Sequence, residues 1–555
     1  MKVHFGVATN WSLAQNRIAS ALPIDCFAPP AMPTGPRRLI YNYDAWGPFI
    51  RPETISDLRE NVDLFAGSQV STVMLGPNFG QSMVYPSAVS EMCHWRKHSP
   101  EERAEFHRRM GPRFARASEW VAAKWREEGV DAFGALVRYV TDSGREAFAT
   151  IRMNDVHCLT LENFQGPYTD RFYREHPECR LPQSAGLNYA IPAVRAHRLA
   201  CLEEMVRRYP FGGVELDFVR GVPFFPGDSP PAEPHFGEHP ITYPRDYSEG
   251  ACPIMTDFVG QIRAMLDRVG TELGRRIALC VRVGSSLSGC RRVGLDPVEW
   301  HRRGHLDSLT VGRFLQLHYE LPVAAFKRAL PGLPVYTTID SYLASEGEHF
   351  VRIYPRDASA EMFRGAAAAL YAQGADGVSL FNMYVCRGNP PDPEGREWAH
   401  AEPREILSEV GDPATLEGTA KLYAVDAVSP LFNHPFVDPQ ATLPAEVSPR
   451  YPLVTRLFVG EQDPAKRRCV LRVRTDRPAP GRRYTVQLNG QGLGDGVEAT
   501  TSQLFAEPYD QTMPDPKRSR DFEVNGAHLA YGENEIVVLA DAPLTITHIE
   551  MAVTG

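Results

Sequence analysis

From about residue 37 to 390, short apolar runs alternate with amphipathic segments of helix length. "RRLIYNYDAW" (37–46), "VSTVMLGPN" (70–78), "REAFATIRMND" (145–155) and "GGVELDFVR" (212–220) predict strands, as do "RIALCVRVG" (276–284), "DSLTVG" (307–312), "LPVYTTIDS" (333–341) and "DGVSLFNMY" (376–384). Between them "VDAFGALVRYVTDSG" (130–144), "IPAVRAHRLACLEEMVRRYP" (191–210), "CPIMTDFVGQIRAMLDRVGTELG" (252–274) and "AEMFRGAAAALYAQGA" (360–375) carry helical spacing. Several of these stop at glycine or proline. Eight strand–helix alternations predict an α/β protein built on a (β/α)8 TIM barrel with insertions. An open doubly wound sheet is disfavoured, because no G-x-G-x-x-G follows a strand.

Beyond residue 400 the pattern changes. "PREILSEV" and "ATLEGTAKLYAV" keep helical spacing, and then alternating strands follow, separated by Gly, Pro, Asn and Asp. They predict a small antiparallel β-sandwich. The expected layout is an N-terminal extension over 1–36, the barrel over 37–390, a helical linker over 391–449 and the sandwich over 450–555.

A chain of 555 residues with 43% hydrophobic positions can fill cores of that size. Its net charge of -9, with no basic block, argues against a nucleic-acid or anionic-membrane partner. No run is long enough to span a bilayer, and the first twenty residues lack a continuous apolar segment, so a cytoplasmic location is expected unless a leader has been removed. The ten cysteines include no C-x-x-C pair. Zinc and dithiol chemistry therefore have no support, and no metal or cofactor is expected. The pattern leaves a homo-oligomer open.

In a barrel, alternate strand residues face inward, and polar ones near the C-terminal ends line the active site. This explains two carboxylates on one face of "GGVELDFVR": Glu215 and Asp217 face inward, with Asp217 nearer the mouth. Glu215, one layer deeper, is expected to pair with Arg152 or Arg282. Other strand ends contribute Asn42, Asp44 and Trp46, then Asn78, then Arg152, Asn154, Asp155 and His157. Arg220, Arg282, His318, Asp340, Asn382 and Tyr384 complete the set. Acids, amides and aromatics converging on one mouth suit a polyhydroxylated ligand. The long segment 221–251, with Phe224, Phe225, His235 and Tyr243, leaves the acidic strand and is expected to wall the pocket.

"GGVELDFVR" running into "PFF", "IRMNDVH" on strand 3, "WHRRGHLDSLTVG" into strand 6 and "YAQGADGVSLFNMY" at strand 8 together resemble the glycoside-hydrolase-like barrel proteins of family-10 type. The resemblance spans about 37–390. It implies a sugar-active barrel in which Asp217 is the strand-4 acid and Asn154, Asp155 and His157 form the strand-3 polar cluster. The chain departs from that pattern: there is no N-E-P, and strand 7 ends in Asp340 rather than glutamate. Nucleophile and acid are therefore not carried over from the resemblance. The reading expected here is a glycoside hydrolase on a carbohydrate substrate, with Asp217 and Asp340 catalytic and Glu215 supporting them. The alternatives are a non-catalytic carbohydrate-binding barrel, or a sugar isomerase or lyase using Asp155 and His157.

Overall fold

The computed structural model describes residues 37–555 except 44, 94–98, 111, 158, 160–165, 167, 183, 221–222, 228–248, 314–316, 341–357, 382, 384–403, 427–441, 480, 503 and 506–514. Eight parallel strands close into a barrel: β1 (Arg38–Tyr43), β2 (Val70–Leu75), β3 (Glu146–Arg152), β4 (Gly213–Asp217), β5 (Ala278–Val283), β6 (Ser308–Val311), β7 (Val335–Asp340) and β8 (Gly377–Phe381). Each pairs with its neighbours in sequence, and β8 returns to β1.

The period-2 alternation decides which side chains go where. Leu39, Val73, Ile151, Leu216, Val281, Leu309, Ile339 and Leu380 point outward into the main core beneath the helices. The opposite parity fills the barrel. Ile40, Met74, Phe148, Cys280 and Tyr336 form a separate apolar plug at its base. Phe148 fits there because its neighbour on β4 is Gly213, where a Cβ would run into the ring. Above the plug the inward positions turn polar, and these polar rungs build the site.

The intervening helices stop where the chain supplies caps. Asp131 accepts a hydrogen bond from the Gly134 amide at the start of Ala132–Asp142, and Gly144 at φ 79 ends that segment. Pro192 opens Pro192–Arg208. Two further helices, Pro100–Met110 and Pro112–Glu128, lie between β2 and Ala132–Asp142, where the sequence pattern alone predicts none. No helix among the described residues is long and apolar enough to cross a membrane.

The C-terminal part forms two antiparallel sheets. Strands β9 (Lys421–Ala424), β10 (Ala445–Val447), β11 (Leu453–Val459), β12 (Arg468–Thr475), β13 (Tyr484–Leu488), β14 (Gln491–Gly492), β15 (Val497–Glu498), β16 (Ser519–Val524), β17 (Gly532–Ala540) and β18 (Leu544–Thr554) supply them. One sheet runs β9-β18-β12-β16-β15 with β10 beside β18; the other runs β11-β17-β13-β14. Alternate residues such as Leu457, Leu471, Val486, Ile536 and Met551 are buried in a shared core.

One boundary differs from the expected layout. "ATLEGTAKLYAV" is not a helix: a single turn, Pro413–Leu416, is followed by Gly418 at φ 74 and then by β9. The positive φ breaks the helix, and Lys421–Ala424 finds a ladder partner in Glu550–Val553 of β18, so tertiary pairing overrides local propensity. The sheet thus begins about 30 residues before position 450. The barrel helix Ala360–Ala372 lies directly on this sheet. Gly365 leaves no room for a Cβ against the Leu422 carbonyl, and Gly460 leaves none against that of Ala368.

Candidate active site at the barrel mouth

Strand register places Arg152, Asp217 and Arg282 side by side in one inward layer. Asp217 is buried. Its Oδ2 accepts from Arg282 Nη1 at 3.2 Å and its Oδ1 from the Val219 amide at 2.9 Å. The Arg282 guanidinium lies over the Phe381 ring, 4.0 Å from its centre, at the end of β8. Asp340 ends β7 in register with Phe381 and is fully buried.

Glu215 lies one layer deeper and is also fully buried. The expected ion pair with Arg152 or Arg282 is not its contact. Instead the Thr150 hydroxyl donates to Oε1 at 2.8 Å and the Thr310 hydroxyl to Oε2 at 3.0 Å. The ion pair with Arg282 belongs to Asp217, which shares its layer. Burial and the negative charge of Asp217 push the Glu215 carboxyl up to about 7, against the opposing Arg282 charge and the two hydroxyl donors. Arg152 turns the other way. Its Nη1 donates to Asp155 Oδ2 at 2.6 Å, and its guanidinium covers Phe79, 5.0 Å from the ring centre.

Asp155 is the anchor of the loop after β3. It accepts from the Gly80 amide at 3.0 Å, from Arg152, and from the backbone and Nδ1 of His157. Burial pushes its carboxyl up, but the His157 and Arg152 partners outweigh that and hold it well below the usual aspartate range. Gly80 reaches this carboxylate only at φ 58, where a Cβ would sit 2.6 Å from the Tyr168 carbonyl oxygen. His157 is half-buried, and its Nε2 faces Arg220 Nη1 at 3.3 Å. The tautomer protonated on Nδ1 satisfies both contacts, donating to Asp155 and accepting from Arg220. Arg220 also lies over Phe381, 5.1 Å from the ring centre.

The remaining predicted residues divide by their place on the chain. Asn42 is buried inside the barrel on β1, with Nδ2 3.9 Å from Met74 Sδ. Asn78 lies beyond β2, and its side chain bonds both the amide and the carbonyl of Arg152, each at 3.0 Å. Asn154 ties the 185–188 loop to Pro223 through the Leu187 amide (2.7 Å) and the Leu187 and Pro223 carbonyls (3.1 and 2.7 Å). Trp46 is buried among Phe49, Phe79 and Tyr168.

His318 is not brought to the mouth. It lies seven residues beyond β6, fully buried, with Nδ1 3.1 Å from Asp426 and 3.0 Å from Arg313. Asp426 follows β9. Burial and Arg313 lower the His318 imidazole to about 4 despite Asp426. Phe224 and Phe225 are buried, Phe224 packing on Phe218 and Tyr189. Asp44, His235, Tyr243, Asn382 and Tyr384 lie outside the described residues.

Phe381, Thr150 and Thr310 escape the sequence reading. Each has the inward parity of the acids, which is the signal that could have found them. Among the described residues, no group of three His, Cys, Asp or Glu side chains could hold a metal ion.

No family model and no curated protein matches the chain. Solved structures similar to it include a chitinase, ChiA74, from Bacillus thuringiensis, at 9% identity and a TM-score of 0.38, covering 92% of this chain and 98% of that one. A maltogenic alpha-amylase, AmyB, from Thermotoga neapolitana is 11% identical with a TM-score of 0.36, again over 92% and 98%. A Paenibacillus cycloisomaltooligosaccharide glucanotransferase is 10% identical with a TM-score of 0.31; the alignment spans 92% of this chain but 57% of that enzyme. Identities and scores this low assign no activity, which rests on the site itself.

Proposed function

We propose that the barrel mouth hydrolyses a glycosidic bond, with Asp217 and Asp340 as the working carboxylates. The observation that carries this reading is the inward, buried placement of Glu215, Asp217 and Asp340 at one end of a closed barrel. Glycosidic cleavage needs one carboxyl group to protonate the leaving oxygen and one carboxylate to meet the positive charge that develops on the sugar. Asp217, held by Arg282 and the Val219 amide, is suited to the anionic role. Asp340, three strands away around the ring, is suited to proton delivery from the other side. Glu215, close to half-protonated at neutral pH, limits the negative charge accumulating beneath Asp217.

A panel of 4-nitrophenyl glycosides in both anomers tests the reading. Turnover of at least one, lost by at least about a hundredfold in Asp217→Asn and Asp340→Asn, is expected. No turnover across a broad panel, or undiminished variants, would count against it. A barrel that only binds sugars would give affinity without turnover.

The hydrogen bond between Asp155 and His157 favours a second reading, an acid/base pair for isomerase or lyase chemistry. Both imidazole nitrogens are already engaged, so Arg220 must move before Nε2 can take a proton from a substrate. Under this reading His157→Ala, not Asp340→Asn, removes activity.

A further inference from the structure

Arg282 uses only part of its guanidinium. Nη1 is committed to Asp217, while Nε and Nη2 have no hydrogen-bond partner among the described residues, although the side chain is 1% exposed. Buried guanidinium N–H groups left without acceptors are costly, and each calls for an explanation such as a water, an ion or a ligand. Nε and Nη2 form the side-on edge whose two parallel N–H bonds match the two oxygens of a carboxylate.

Elsewhere this chain uses the same edge in that way. Arg472 holds Asp521 through Nε at 2.7 Å and Nη2 at 2.9 Å. Arg364 holds Glu409 at 2.7 and 3.1 Å, and Arg302 holds Glu299 at 2.6 Å through both nitrogens. At the mouth, Phe381 covers one face of Arg282 and fixes its plane. Arg152, the other cation in the layer, is already bound to Asp155. The Nε/Nη2 edge of Arg282 is therefore, among the described residues, an unpartnered donor pair in the layer of Asp217.

We propose that the substrate is an acidic sugar, a uronic-acid glycoside, whose carboxylate docks on the Nε/Nη2 edge of Arg282. This rests on the hydrolase reading above and names its substrate class. The docked carboxylate orients the ring over Asp217 and supplies the acceptors that the guanidinium lacks. A neutral sugar offers only hydroxyl oxygens to the same edge, without the charge.

Titration calorimetry on the intact protein with D-glucuronate against D-glucose, and D-galacturonate against D-galactose, tests this. At least one acid is expected to bind about tenfold or more tighter than its neutral partner. Arg282→Lys keeps a cation beside Asp217 but lacks the planar two-donor edge, so the ratio of acid to neutral affinity should fall to about one. Equal wild-type affinities within both pairs, or a preference that survives in Arg282→Lys, overturn the proposal and leave the hydrolase reading standing. The wild-type comparison decides even if the variant does not fold. Absence of binding by all four sugars overturns this inference, and turnover of a 4-nitrophenyl glycoside then decides the hydrolase reading separately.

Discussion

Replacing Glu215 by glutamine should uncover a pH dependence of stability that the wild-type protein conceals. In the fold Glu215 binds its proton near pH 7 rather than at the ordinary 4.5. A raised carboxyl stabilises the folded state fully below pH 4.5, and that contribution is lost as pH rises through about 7. At about 1.36 kcal/mol per pH unit the interval is worth about 3 kcal/mol. His318 works in the opposite sense. Its imidazole protonates near 4 instead of 6.5, so its contribution is present above 6.5 and lost as pH falls through about 4. The magnitude is again about 3 kcal/mol.

Between pH 4.5 and 6.5 the two nearly offset each other, and the wild-type stability curve is expected to be shallow there. Glutamine at 215 can keep both threonine contacts, because a hydroxyl donates or accepts. It no longer titrates, so Glu215→Gln should gain roughly 3 kcal/mol as pH rises from 4 to 6.5. His318→Gln should lose a similar amount, roughly 3 kcal/mol, from 4.5 to 7. Guanidinium denaturation, followed by fluorescence and circular dichroism at constant ionic strength, measures both slopes. Variant curves parallel to the wild type across this window would refute the burial argument for these two groups.

Asp217→Asn strands the Arg282 charge, and denaturation should show a loss of roughly 3–5 kcal/mol alongside the loss of turnover; Arg282→Met in the same background should recover stability but not activity. Gly213→Ala drives a Cβ into the Phe148 ring and should cost about 1–3 kcal/mol, with Phe148→Leu restoring most of it in a double-mutant cycle. Asp426→Ala removes an acceptor shared by the Tyr319 amide at 2.9 Å, the Glu320 amide at 3.3 Å and His318, and should cost about 2 kcal/mol or more in denaturation midpoints.

The strands of the barrel are legible in the sequence because parallel barrel strands are brief apolar runs between turns. Their inward parity follows from that alone, and it brings Glu215, Asp217 and Arg282 to one side without any further knowledge. The same parity reaches Thr150, Thr310 and Phe381, which pass unnoticed because threonine and phenylalanine are ordinary strand formers. What fails is the assumption that a polar residue near a strand end lines the mouth. β1 and β2 stop at Tyr43 and Leu75, so Trp46 and Asn78 serve the loops beyond them. His318 is carried further still, into contact with Asp426, a long-range pairing that no local pattern encodes. The β9 strand hides for the same reason: its partner, β18, lies more than a hundred residues further along the sequence.

The central claim is that a sugar lies between Asp217 and Asp340, and a crystal structure of Asp217→Asn with a bound oligosaccharide tests it most directly. The glycosidic oxygen should lie within hydrogen-bonding distance of Asp340, with the anomeric carbon facing position 217. A sugar bound elsewhere, or one whose glycosidic oxygen meets His157 instead, would contradict the account.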